Sequence, residues 1–139
     1  MRRVALGLAV ASATLAGCGS VSTSSALAQW SHQSNFEQSV TILLDDARHA
    51  AKALRATSSL NDLHTVCAVL LVDVQSANAA LPTPDSQTTT LLSSAYSDLG
   101  AGANRCYVAD SAPRRQRALS DLTTGASLLV EARTRVRNS

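Results

Sequence analysis

Leu60, Leu63, Cys67, Leu70, Val74, Ala77 and Leu81 follow one another at alternating intervals of three and four residues, and nothing else in the chain narrows its fold as much. Residues three and four apart share one face of an α-helix, whereas a half-buried strand alternates every second residue. The neighbouring Val66, Ala68, Val69 and Leu71 would suit a strand by composition. Seven positions in phase decide for a helix, the most apolar of the chain and the one expected to be most buried. Ser59 and Asp62 supply an N-terminal cap, and Leu81-Pro82-Thr83-Pro84-Asp85 ends the helix.

Three further segments carry the same period. Phe36, Val40, Leu43, Ala47, Ala50 and Leu54 form a stripe widened by Leu44 and Ala51, while Asp45, Asp46, Arg48, His49 and Lys52 fall largely elsewhere. Ser34-Asn35-Phe36-Glu37 reads as a capping box that starts this helix, which ends near Arg55 before the break Ala56-Thr57-Ser58. After the prolines, Thr83 is placed to cap and Pro84 to open a helix with Leu92, Tyr96, Leu99, Ala103 and Cys106 on one face. Gly100 and Gly102 predict a kink or break within it. Asp110-Ser111-Ala112-Pro113 makes the last turn. Leu119, Leu122, Ala126, Leu129 and Val136 then stay in register, with Arg133 in the one polar position. Four amphipathic helices joined by three short connections predict an all-α domain over residues 34–139, an up-down-up-down four-helix bundle. Aromatic residues are only Trp30, Phe36, Tyr96 and Tyr107, so Leu, Val and Ala must fill the core, which suits closely packed helices.

The N-terminus has a different character. Arg2 and Arg3 precede an apolar run from Val4 to Leu15, the pattern of an export signal. The run is shorter than the roughly 20 apolar residues of a spanning helix and contains Ser12 and Thr14. Leu15-Ala16-Gly17-Cys18 matches the lipobox L-[A/S]-[G/A]-C at all four positions, and here the chain resembles bacterial lipoproteins. The resemblance implies a signal peptide over 1–17, a diacylglycerol thioether on Cys18 and an anchor in the cell membrane on its extracytoplasmic face. The alternative is a secretory signal cut near Ala26-Leu27-Ala28, with Cys18 incidental. Residues 18–33 show no period and are expected to be a flexible tether. Trp30 is then either at the lipid headgroups or over the end of the bundle.

Twelve Lys and Arg against ten Asp and Glu give a formal charge of +2, but loss of Arg2 and Arg3 with the signal would leave ten of each. A near-neutral chain has no electrostatic footprint for nucleic acid. With Cys18 assigned to lipid, Cys67 and Cys106 remain as a pair in an oxidising compartment, on inward stripes of adjacent helices. A disulfide is expected, free buried thiols being the alternative. A straight hairpin turning at Pro82 to Pro84 leaves the two cysteines about 12 Å out of level at 1.5 Å per residue. A bend at Gly100 to Gly102, or a later start to the third helix, must absorb this. The stretch from Cys67 through Pro82 and Pro84 to Cys106 is similar to small helical proteins of actinobacteria, a likeness that implies no site.

Little points to catalysis. His49 follows Asp45 and Asp46, but a di-metal bundle needs Glu-x-x-His motifs on two helices, and neither motif is present. His64 lies beside the apolar seam and is expected at its boundary. No GxSxG, P-loop, GxGxxG, HExxH or CxxC occurs, so neither an enzyme nor a cofactor or metal site is expected. Arg133, Arg135 and Arg137 would form a basic cluster at the membrane-proximal end. Arg114, Arg115 and Arg117 lie at the distal end and are the expected surface for a protein partner, with Asp110 to Arg114 and Arg117 to Asp121 as i,i+4 pairs. The resulting expectation is a membrane-anchored, non-catalytic interaction module. The alternative is a carrier or sensor holding a small apolar ligand between its helices.

Overall fold

Five α-helices and no strand make up the regular structure of the described residues, 22–56 and 58–139 of a computed structural model. They are α1 (Thr23–Gln33), α2 (Phe36–Arg55), α3 (Leu60–Asn78), α4 (Ser86–Tyr107) and α5 (Ala112–Arg137). The expected signal segment and Cys18 lie outside the described residues. No described helix is long and apolar enough to cross a membrane.

Much of the expected tether is helical. Ser22 caps α1 by accepting from the Ser25 amide, and Leu27 and Trp30, one turn apart, hold the helix down. Leu27 is buried, the Trp30 ring lies 5.3 Å from that of Phe36, and Trp30 Nε1 donates to the Ala80 carbonyl at 3.0 Å. Two anchors in a single turn are too few to register as a period, which is why the segment read as tether. Trp30 thus closes over the end of α2 and the α3–α4 connector. The same helix removes the expected capping box. Ser34 is the C-cap of α1 and its hydroxyl donates back to the Trp30 carbonyl at 2.8 Å. Asn35, at φ 51°, then opens α2 without a side-chain cap, a left-handed position that Asn tolerates better than most residues.

In α2 the whole stripe from Phe36 to Leu54 is buried as expected. In α3 the stripe holds from Leu63 to Ala77, and Ser59 accepts from the Asp62 amide. Leu60 is exposed, however, and so are Val69 and Val72, at 49% and 59%. The apolar excess of α3 therefore lies outside the core, because among the described helices α3 packs only on α2 and α4.

Thr83 does not cap α4. Asp85 does, accepting from the Thr88 amide at 2.9 Å and the Thr88 hydroxyl at 2.6 Å. Thr83 instead closes the connector, donating its amide to Thr89 Oγ1 and its hydroxyl to the Asp85 carbonyl. The Leu81–Pro82 bond is cis. With α4 starting at Ser86, the connector takes up the offset between the cysteines, and α4 runs through Gly100 and Gly102 without a break.

Those glycines serve packing. A Cβ on Gly102 would lie 2.8 Å from Leu122 Cδ2, and one on Gly125 would lie 2.8 Å from the Leu99 backbone nitrogen. Leu99 opposite Gly125 and Gly102 opposite Leu122 mean that α4 and α5 run in opposite directions with large side chains seated on small ones. The buried line of α5 is accordingly Ala118, Leu122, Gly125, Leu129, Ala132 and Val136, with Leu119, Ala126 and Arg133 only half-buried. Half of these positions are Ala or Gly, which the search for a stripe of large apolar residues passes over. Around this seam, α2 packs on α3 and, less extensively, on α5, α3 packs on α4, and α1 rests on α2 and α5.

Candidate functional site

Apart from Cys18, which lies outside the described residues, the groups singled out in the sequence have definite places. Cys67 and Cys106 are fully buried, come within disulfide distance and have Cα atoms 5.9 Å apart. Two solvent-facing rings stack beside them, His64 on Tyr107, with centroids 4.0 Å apart and planes at 10°. His64 is thus a boundary residue with an aromatic partner, which sequence spacing did not suggest.

The arginines of the two clusters divide among several partners within the chain. Arg133 and Arg137 both bind Glu37 at 2.7 Å, and Arg135 binds the helix-capping Asp85 at 2.8 Å. Hydrogen bonds from Arg137, and then Arg133, hold the Glu37 carboxyl below its ordinary range. Arg135 does the same to Asp85, assisted by Thr88. Arg133, Arg135 and Arg137 therefore tie α5 to α2 and to the start of α4. At the other end, Arg114 pairs with Asp110 as expected. Arg115, which lacked a partner in the sequence, donates to the carbonyls of Leu54 and Ser58 and so satisfies the C-terminus of α2. Arg117 does not pair with Asp121, because Asp121 is taken by Arg105 of α4. Of the three distal arginines only Arg117 is without a partner among the described residues.

A second unforeseen arrangement is a carboxyl pair across the α2–α3 seam. Burial first, and the facing carboxyl of Asp73 second, push Asp46 up to about 6. Its Oδ2 is buried without a hydrogen-bond partner among the described residues. No group of three or more His, Cys, Asp and Glu side chains among the described residues is arranged to hold a metal ion.

Three open depressions matter for recognition. The largest, about 880 Å³, lies where α1 begins, α4 begins and α5 ends, with Leu27 and Leu91 as its apolar wall and the Asp85–Arg135 pair on its edge. A trough of about 350 Å³ runs between α2 and α5 over Leu44, Ala47, Ala51, Leu122, Ala126 and Val130. It continues through Arg55 and Thr123 into a hollow of about 340 Å³ reaching Leu119 and Gln116. Sequence reasoning missed this trough, although the widening of the first stripe by Leu44 and Ala51 is its trace. No family model, curated protein or solved structure matches the chain.

Proposed function

We propose that the protein is a lipid-anchored lipoprotein of the extracytoplasmic membrane face, displaying a non-catalytic helical domain to a protein partner. In this reading α2 to α5 form an up-down-up-down four-helix bundle, α1 lies across one end, and Cys67 and Cys106 are joined as a disulfide. The lipobox Leu15-Ala16-Gly17-Cys18 supports the anchor. The observation that carries the interaction role is the contrast between a continuous buried core and open, partly apolar depressions on its surface. Shape of this kind suits a partner's side chains better than an enclosed small molecule.

A carrier of a small apolar ligand is the second reading, favoured by the depression of about 880 Å³ against Leu27 and Leu91. Two measurements separate the possibilities. A Cys18→Ala variant is expected to leave the membrane fraction and to lose incorporation of a labelled fatty acid; a variant that stays membrane-bound removes the anchor. Native mass spectrometry of the detergent-extracted protein is expected to give the lipidated chain alone. A retained small ligand would replace the interaction reading with the carrier.

A further inference from the structure

The charges of the described chain sort themselves by location. Arg48, Arg105, Arg114, Arg133, Arg135 and Arg137 each have a carboxylate partner, and Arg115 is spent on backbone carbonyls. Lys52, Arg55 and Arg117 have none among the described residues. Arg55 lines both parts of the depression between α2 and α5; Lys52 lies one turn before it on α2, and Arg117 one turn before the lining Ser120 on α5. Arg48 lines the trough as well, with its charge met by Asp45, and no acidic side chain is itself in the lining. Asp46 lies on the opposite flank of α2, toward Asp73 and α3.

The floor of the trough is apolar and built partly of methyl groups, and the hollow beyond Arg55 is polar, over Gln116, Ser120, Thr123 and Thr124. Ala47, Ala51 and Ala126 let another backbone come close, while Leu44 and Val130 wall the trough at one end and Leu119 at the other. From Leu44 to Arg55 the path along α2 is about 16 Å, three turns of helix. An amphipathic helix fits such a surface by laying residues i, i+3 or i+4, and i+7 in the groove. Unpaired Arg55 in the lining, with Lys52 and Arg117 one turn from lining residues and no carboxylate among them, selects negative flanking charge.

We propose that the α2–α5 trough docks an amphipathic helix of a partner protein whose apolar stripe is flanked by Asp or Glu. This rests on the interaction-module reading and names its surface and the chemistry of its partner. The test uses the full mature chain in detergent and a fluorescein-labelled synthetic helix of about 18 residues. The helix carries a Leu stripe with Glu on both flanks, and a control carries Lys instead. Fluorescence anisotropy is expected to show the Glu helix binding at least about tenfold tighter than the Lys helix. Ala126→Glu in the floor, and Lys52→Glu with Arg55→Glu on the rim, are each expected to weaken it by about the same factor. Circular dichroism should be unchanged, and Val69→Glu on α3 should bind as the parent does. If Ala126→Glu unfolds the chain, the exposed rim variant decides.

Equal binding of the two helices, binding of neither, or binding that survives the rim variant overturns the inference. So does concentration-dependent dimerisation abolished by Ala126→Glu, since a second copy would then fill the trough. Failure of the peptide with no small ligand in the native mass spectrum removes the trough but leaves the interaction reading, whereas a retained ligand removes both.

Discussion

The two faces of α5 are held in opposite ways. Toward α4, Leu99 seats over Gly125 and Leu122 over Gly102, so close that a single added carbon would meet backbone atoms. Toward α2, the polar contacts lie at the ends: Arg115 grips the carbonyls of Leu54 and Ser58, and Arg133 and Arg137 grip Glu37. Between these pins lies the trough. Small side chains occur on both faces with opposite results. Opposite a Leu, a Gly draws two helices together; at the flank of a seam, Ala51 and Ala126 are too short to close it. What alanine and glycine do to a helical protein is therefore set by what stands across from them.

This contrast can be broken from its stronger side first. α4 is flanked by the glycine seam on α5 and by Cys106 against Cys67 on α3, a loop of 39 residues in sequence separation. If the sulfurs are joined, replacing both cysteines by Ala is expected to lower stability by about 4 kcal/mol on the loop-entropy account. Urea denaturation with and without reductant measures it, and a midpoint indifferent to reductant would leave the glycine seam as the only clamp on α4. Gly125→Ala should follow, at about 3 kcal/mol, because the new Cβ meets the Leu99 nitrogen and the Ala95 carbonyl and the helices must part. A loss under about 0.5 kcal/mol would mean that the α4–α5 seam is as yielding as the trough.

The α2 side should respond more gently. Arg115→Met removes two hydrogen bonds to the end of α2 and is expected to cost about 1 to 2 kcal/mol, with faster amide exchange in the last turn of α2 and not in α4. Exchange that rises equally in both helices would show the pins to be no more local than the glycine seam. Asp46 tests the other seam of α2. Its carboxyl titrates near 6 in the folded chain against 3.8 as a free side chain, so the folded state holds the proton more tightly. Stability should fall as pH rises from about 4 to about 6, and Asp46→Asn should abolish that fall and raise stability at pH 7 by about 1 kcal/mol. The smallest effect belongs to Gly100→Ala. There a Cβ meets only Val74 Cγ1, at 3.7 Å, so helix propensity should prevail with a gain of about 0.5 to 1 kcal/mol. The opposite signs at Gly100 and Gly125 would be the sharpest statement of the contrast.

The helices were legible wherever large apolar residues recur every three or four positions. The stripe from Phe36 to Leu54 is buried throughout, and that from Leu63 to Ala77 likewise. Sequence also brought Cys67 and Cys106 onto facing stripes, and the Ser59 cap followed from local chemistry alone. Such features depend on neighbours within one turn, and the sequence contains those neighbours. Three others depend on partners far along the chain: α1 forms because Trp30 reaches Ala80, the buried face of α5 turns toward Gly125 because Leu99 fills the space, and Arg115 finds Leu54 rather than a nearby acid. The trough belongs with them, since an alanine becomes a gap only once the helix opposite it is known. Periodicity determined which residues turn inward; how closely each pair of helices then approached was a property of their meeting.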